Sequence, residues 1–325
     1  MPTSFYETKT YDRLVSSTFE NNVDDIQNQI NKATALLAFM RENGRIKIET
    51  GGERISVPIM YGKNTTIQSQ AKQTPINTTP MDGITKVFYN WKVITGSITI
   101  WDVDLMLNKG NKVKQFDIMD AAREQFILSV AETVTGQLMG DGTGNGSLDL
   151  LGIQAIIADT PTSGTLAGID RSTNPYWRNQ YNNAVGAFAS AGLNKTRNLY
   201  NKCALGSTKG TPDLCMMTQT IYESFENEHL LVLRLAKEDE KMADLKFANF
   251  KFGTATCVFD EQSPSGSQYM INTKYMYLVV HEDGNFQIMP KRSTYNQLAT
   301  IIPFLLLGNM ITSNPRKLGV NTGIT

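Results

Sequence analysis

The chain has 325 residues, 41% hydrophobic and 19% charged. That is enough apolar material for one large domain or two ordinary ones, and it excludes a disordered chain. Lys and Arg number 31 and so do Asp and Glu; a net charge of zero excludes a dedicated nucleic-acid reader, whose footprint is a basic face, and removes long-range repulsion between copies.

The opening MPTSFYETKTYDR has no apolar segment, and the longest apolar run, residues 301–307, is short and interrupted by Pro303. Neither secretion nor a membrane span is expected. Residues 1–20 lack sustained periodicity and read as an extended arm. Val23, Ile26, Ile30, Ala33, Leu37 and Met40 then recur at helical spacing, with Asn22 as N-cap, Asp24 and Asp25 in the first turn, Arg41 near the end and Gly44 beyond it. These signals predict an amphipathic helix.

From Arg45 the period becomes two: Ile46 and Ile48, then Ile55, Val57, Ile59 and Tyr61 alternate with mostly polar residues, and Val87, Tyr89, Trp91 and Val93 resume the pattern. Between them, residues 62–83 carry almost nothing that could build a core, so they are expected to protrude toward a neighbour. At Gly96 the apolar parity slips to Ile98 and Ile100, which predicts a bulge or bend there. Residues 45–101 therefore read as a long hairpin with a polar tip and little core of its own.

Val113, Phe116, Met119, Ala122, Phe126, Val130, Val134 and Leu138 form a helical stripe ending before Gly140. The helix would span about 27 residues and about 40 Å. Residues 182–292 alternate short helices (195–203, 218–229) with short strands (214–217, 254–259, 268–271, 276–281, 287–289), a mixed α+β region. Residues 296–310 are apolar enough for a buried strand, punctuated by Gly308 and Asn314-Pro315.

Catalytic chemistry is thinly supplied. His229 and His281 are the only histidines, and neither lies in a catalytic frame. Cys203, Cys215 and Cys257 are an odd number with no C-x-x-C pair, which gives neither a disulfide framework nor a zinc site and fits a reducing compartment. Residues 140–146, GDGTGNG, follow a helix instead of a strand and lack the spacing of a phosphate loop. As a calcium loop they would use Asp141, Thr143, Asn145, Gly146 and Asp149, but Gly152 stands where the bidentate Glu belongs. Asp141, Asn145 and Asp149 are thus weak metal candidates, beside the plain reading of a glycine-rich helix exit.

Residues 168–180, GIDRSTNPYWRNQ, are the densest cluster. Arg171 and Arg178 can each pair with carboxylates, Trp177 offers a large packing face, and Asn174 before Pro175 sets a turn next to Asp170. This is a loop that must be pinned, or else an ordered surface loop of an ordinary enzyme.

Residues 151–161, LGIQAIIADTP, followed by this cluster and by the closing GNMITSNPRKLGVNTGI, resemble the major capsid proteins of tailed bacteriophages. The resemblance covers most of the chain in element order, and in motif residues 139–180, 254–289 and 305–325. It implies an α+β phage capsid fold: an N-terminal arm and helix (1–44), an extended hairpin loop (45–111), a peripheral domain carrying the spine helix (112–183, with the returning strand 296–325) and an axial domain (184–295). It implies no catalysis and no cofactor. Some members of the fold crosslink a loop lysine to a neighbour's asparagine, which makes Lys63 and Lys72 candidates.

The expected function is a shell subunit whose hexamers and pentamers enclose double-stranded DNA, with scaffold, portal and decoration proteins as further partners. The expected place is the virion, after synthesis in the bacterial host cytoplasm. DNA contact would be weak and sequence-independent, through residues such as Arg13 and Lys32. Asp170, Arg171, Asn174, Trp177 and Arg178, with the two lysines, are the expected assembly residues. Two alternatives are an encapsulin-like compartment with protein cargo and a metal-dependent enzyme using Asp141, Asn145 and Asp149.

Overall fold

The computed structural model describes residues 35–103, 112–205, 210–236 and 251–325. The arm 1–20, the start of the first helix, Arg13 and Lys32 lie outside them. In chain order the elements are α1 (Ala35–Glu42), β1 (Ile46–Glu49), β2 (Ile55–Met60), β3 (Ile84–Tyr89), β4 (Lys92–Trp101), α2 (Lys112–Met139), α3 (Ile153–Ile156), β5 (Thr165–Leu166), β6 (Ile169–Asp170) and β7 (Gln180–Asn182). They continue with α4 (Leu193–Ala204), β8 (Leu214–Met217), α5 (Gln219–Ala236), β9 (Lys251–Phe252), β10 (Ala255–Phe259), β11 (Gln268–Ile271), β12 (Met276–His281), β13 (Gln287–Ile288), β14 (Arg292–Ser293), β15 (Ala299–Thr312) and β16 (Gly319–Asn321).

Two six-stranded sheets carry the molecule. In the first, the 14-residue β15 is the axis: β4 runs antiparallel along one edge, β13 and β14 along the other, and β12 pairs its end and carries β1. The second sheet has the order β7-β16-β11-β8-β10-β9. All four residues of β8 are buried. Leu214 and Met216 face the main core, whereas Cys215 and Met217 face α4 and α5; the strand is covered on both sides, which is why its sequence is a continuous apolar run.

The spine helix α2 has 28 residues, in line with the stripe read from sequence. Its Ile127, Val130, Val134 and Leu138 enter a core built also from Leu36, Leu37 and Met40 of α1, Ile153 and Ile156 of α3, and residues of both sheets. One helix therefore ties the two sheets together. At the end of α1, Gly44 takes φ +62° while its own N–H meets the Arg41 carbonyl and the Arg45 N–H the Met40 carbonyl, a left-handed cap that favours glycine.

Three expectations change. The hairpin proper is residues 55–89: β2 pairs β3, whereas β1 and β4 join the body sheet. Its base does have a core, because Ile55, Val57, Ile59, Val87 and Tyr89 pack on Leu166, Trp177, Tyr277, Val279 and Ile311 of the same chain. Gly96 makes no bulge, since β4 stays in continuous register with β15 from Lys92 to Trp101. The parity slip falls instead at residues 90–91, where β3 leaves the hairpin and β4 enters the sheet. Gly96 is needed for a close approach, because a Cβ there would sit 2.9 Å from the Phe126 ring of the spine. Segment 184–295 feeds both sheets: β8 to β11 enter the second, β12 to β14 the first.

Candidate assembly surfaces

The cluster 164–182 is built around a tight hairpin. Ala167 and Gly168 both take positive φ, 53° and 82°, in the two-residue turn joining β5 to β6. The Asp170 carboxylate accepts from the Ser172 N–H at 2.8 Å and hydroxyl at 2.6 Å, and these two donors hold its pKa below the usual carboxylate value. Asn174 closes the turn by donating from its amide to the Asp170 carbonyl at 2.9 Å.

Neither arginine pairs with a carboxylate in the bonds that form this loop. Arg171, 3% exposed, donates to the carbonyls of Ala155 at 3.2 Å and Ile156 at 2.6 Å in α3. Burial lowers its pKa, and its Nε is left without a hydrogen bond. Arg178 bonds the carbonyls of Arg171 and Ser172, each at 2.5 Å. The carboxylate pairing expected from sequence is therefore replaced by guanidinium-to-carbonyl bonds, which stitch backbone to backbone.

Trp177 is 2% exposed; its indole N–H donates to the Leu166 carbonyl at 3.0 Å and its ring packs under the hairpin base. Arg171 and Trp177 thus face their own subunit and hold the loop, while Asp170 stays exposed and Asn174 and Arg178 are half-buried. Neighbouring Tyr176 stacks on Tyr61 at the hairpin neck, ring centroids 5.0 Å apart. The loop is therefore the footing on which the hairpin stands.

Two positioning residues escaped the sequence reading. Asn179 grips residue 158 at both backbone atoms, accepting its N–H at 3.1 Å and donating to its carbonyl at 2.9 Å. Asn309 in β15 accepts the Leu151 N–H at 2.9 Å and donates to the Asn90 carbonyl at 2.8 Å. Both asparagines are fully enclosed, but an asparagine in sequence reads as loop chemistry, so nothing flags such a bolt before the fold is known.

Beyond the neck, residues 63–82 are almost entirely exposed and hold no strand or helix. Their few bonds are local, such as the Asx turns at Asn64 and Asn77 and one Thr74-to-Ala71 backbone bond. Lys63 and Lys72 are exposed there. So are large apolar groups: Met60 at 80%, Ile67 at 78% and Ile76 at 79%, with Ile84 and Phe88 on the outer face of the hairpin.

In the glycine loop, Asp141 accepts from the Thr143 N–H at 3.0 Å and hydroxyl at 2.8 Å, which lowers its pKa. One oxygen of Asp149 accepts from the Asn145 amide at 2.7 Å and the Gln137 amide at 3.0 Å. The three residues weighed as metal ligands thus bond within the loop and to the spine. Among the described residues, no three His, Cys, Asp or Glu side chains cluster as metal ligands.

His281 closes β12, accepts the Asp283 N–H at its Nδ1, and lies edge-on to Trp91. His229 falls in α5, and its side chain lies outside the described residues. The three cysteines are free and buried, and burial pushes the Cys203 thiol up to about 12, far from a reactive thiolate. No helix among the described residues is long and apolar enough to cross a membrane.

No family model matches the sequence, and no curated protein matches it. Solved structures do. The capsid asymmetric unit of cyanophage A-1(L) aligns with a TM-score of 0.67 at 11% identity, covering 86% of this chain and 90% of that one. The capsid of a native GTA particle aligns at 0.56 with 10% identity, covering 88% and 90%. The capsid of Myoviridae phage XM1 aligns at 0.54 with 11% identity, covering 88% and 92%.

This chain has the phage capsid fold. The identities of 9–11% explain why the likeness is carried by element order and not by sequence matching. Within the capsid fold, the pinned loop 164–182 and the hairpin form one mechanical unit. The spine α2 and strand β15 form the frame that carries it.

Proposed function

We propose that the chain is a major capsid protein, many copies of which close an icosahedral head around the double-stranded DNA of a tailed phage. The observation that carries this reading is the hairpin tip on a capsid fold. A lone monomer gains nothing by holding Met60, Ile67, Ile76 and Ile84 more than half exposed on an extended arm; contiguous exposed apolar groups belong at an interface. The natural cover is the body of a second copy, repeated by symmetry into hexamers and pentamers. The zero net charge supports the same reading, and so does the addition of many modest contacts by avidity.

In this reading residues 45–111 form the loop reaching over a neighbour, 112–183 with 296–325 the peripheral domain, and 184–295 the axial domain. Asp170, Asn174 and Arg178 lie where the loop surface meets the neighbour. Lys63 and Lys72 are placed for a covalent link across that contact; a ladder of multimers surviving boiling in SDS would be its sign, and monomer alone its refutation. Scaffold, portal and decoration proteins would dock on the finished shell, DNA would touch its inner face without sequence preference, and the protein would reside in the virion. No catalytic step belongs to this function.

Sedimentation and electron microscopy of the purified full chain test it. Rings or closed shells containing nucleic acid are expected. Shells filled with protein would instead indicate a cargo compartment, and a strict monomer at all concentrations and salts would reject the shell reading altogether.

A further inference from the structure

We propose that Asn145 is a site of spontaneous deamidation, a modification that loosens the end of the spine helix. The chemistry is intramolecular. The Gly146 backbone nitrogen attacks the Asn145 side-chain amide carbon, a C–N bond forms, and the side-chain nitrogen leaves as ammonia, giving a succinimide. Water from solvent then opens the ring, leaving aspartate or isoaspartate, with no redox change. Asparagine is a thermolabile residue, and a following glycine offers the least hindered nitrogen.

The chain contains two Asn-Gly pairs, Asn43-Gly44 and Asn145-Gly146, and the structure separates them. At the first, the attacking nitrogen is engaged: the Gly44 N–H donates to the Arg41 carbonyl at 3.0 Å, and the Asn43 amide donates to the Phe39 carbonyl at 2.9 Å. At the second, the Gly146 N–H makes no hydrogen bond among the described residues. Asn145 is exposed, and a Cβ placed on Gly146 would meet nothing within 4 Å. The Asn145 peptide must still rotate from φ 50°, ψ 40° to close the ring, and the open space around Gly146 permits that rotation.

The consequence follows from what Asn145 holds. Its amide donates to Asp149 Oδ1 at 2.7 Å, the oxygen that also accepts from Gln137 of the spine, while the Gln137 carbonyl oxygen accepts the Leu150 N–H at 3.1 Å. Deamidation replaces a donor with a carboxylate facing a carboxylate. The repulsion acts on the bond set that ends the spine and on the loop whose Ser147 carbonyl receives Lys92 of β4. This inference stands whether or not the chain builds a shell.

Peptide mass spectrometry of the full-length folded protein after prolonged incubation in mildly alkaline buffer tests it. The expected result is the one-dalton gain at Asn145, with Asn43 converted to less than about a tenth of that extent, the factor supplied by ~1.4 kcal/mol of retained hydrogen bonding. A Gly146→Ala variant should slow the gain. No gain at Asn145, or equal gain at both pairs, overturns the proposal. Asn145→Asp should melt below Asn145→Ala, with the difference shrinking at high salt; equal melting would overturn the coupling to Asp149.

Discussion

Trp177 has its ring enclosed between the hairpin base and the loop that carries it, and its N–H donates to the Leu166 carbonyl. Truncating such a side chain costs the transfer of its surface and leaves a cavity, so Trp177→Ala should lower stability by about 3 to 5 kcal/mol. Equilibrium urea unfolding of the purified chain measures this, and a change below about 1 kcal/mol would mean the loop is not anchored there. The sequence made Trp177 conspicuous, yet it did not say which way the residue faces. Residues 168–180 were legible as a loop needing anchors because aromatic and guanidinium groups were crowded beside a turn. Their partners were not, because Arg171 and Arg178 bond main-chain carbonyls, and a carbonyl acceptor leaves no trace in side-chain composition.

Among the elements, the contact between β4 and α2 shows how one absent side chain sets a packing distance. Gly96 lies under the Phe126 ring, which also meets Phe304 edge-on at 5.7 Å between centroids. Gly96→Ala should therefore destabilise by about 1 to 3 kcal/mol through overpacking. Phe126→Leu in the same chain should recover part of that loss, because the clashing atoms belong to the ring. Calorimetric melting of the single and double variants reads this coupling, and strictly additive losses would refute it. The long elements, α2 and β15, were legible in sequence because a sustained period or apolar run spans them. The short ones, such as β7, β14 and β16 at two or three residues each, were not. They exist only because a neighbouring strand supplies their hydrogen bonds, and a one-dimensional pattern cannot register that. Gly96 was misread for a related reason: a parity slip marks a change of sheet as readily as a bulge.

At the scale of the whole molecule, the chain divides into a body with closed cores and an arm tip without one. Spine, sheets and hairpin base satisfy their own apolar surface, whereas residues 63–82 stay exposed and nearly free of backbone pairing. This division predicts that the tip contributes to assembly and little to folding. The measurement that tests it most directly is sedimentation velocity of the intact chain beside one in which residues 63–82 are replaced by a short Gly-Ser turn between Gly62 and Gly83, whose backbones already approach each other. The account predicts that both chains melt at nearly the same temperature, while only the intact one sediments as capsomers or shells. Shells of normal yield from the shortened chain, or its failure to fold as a monomer, would contradict it.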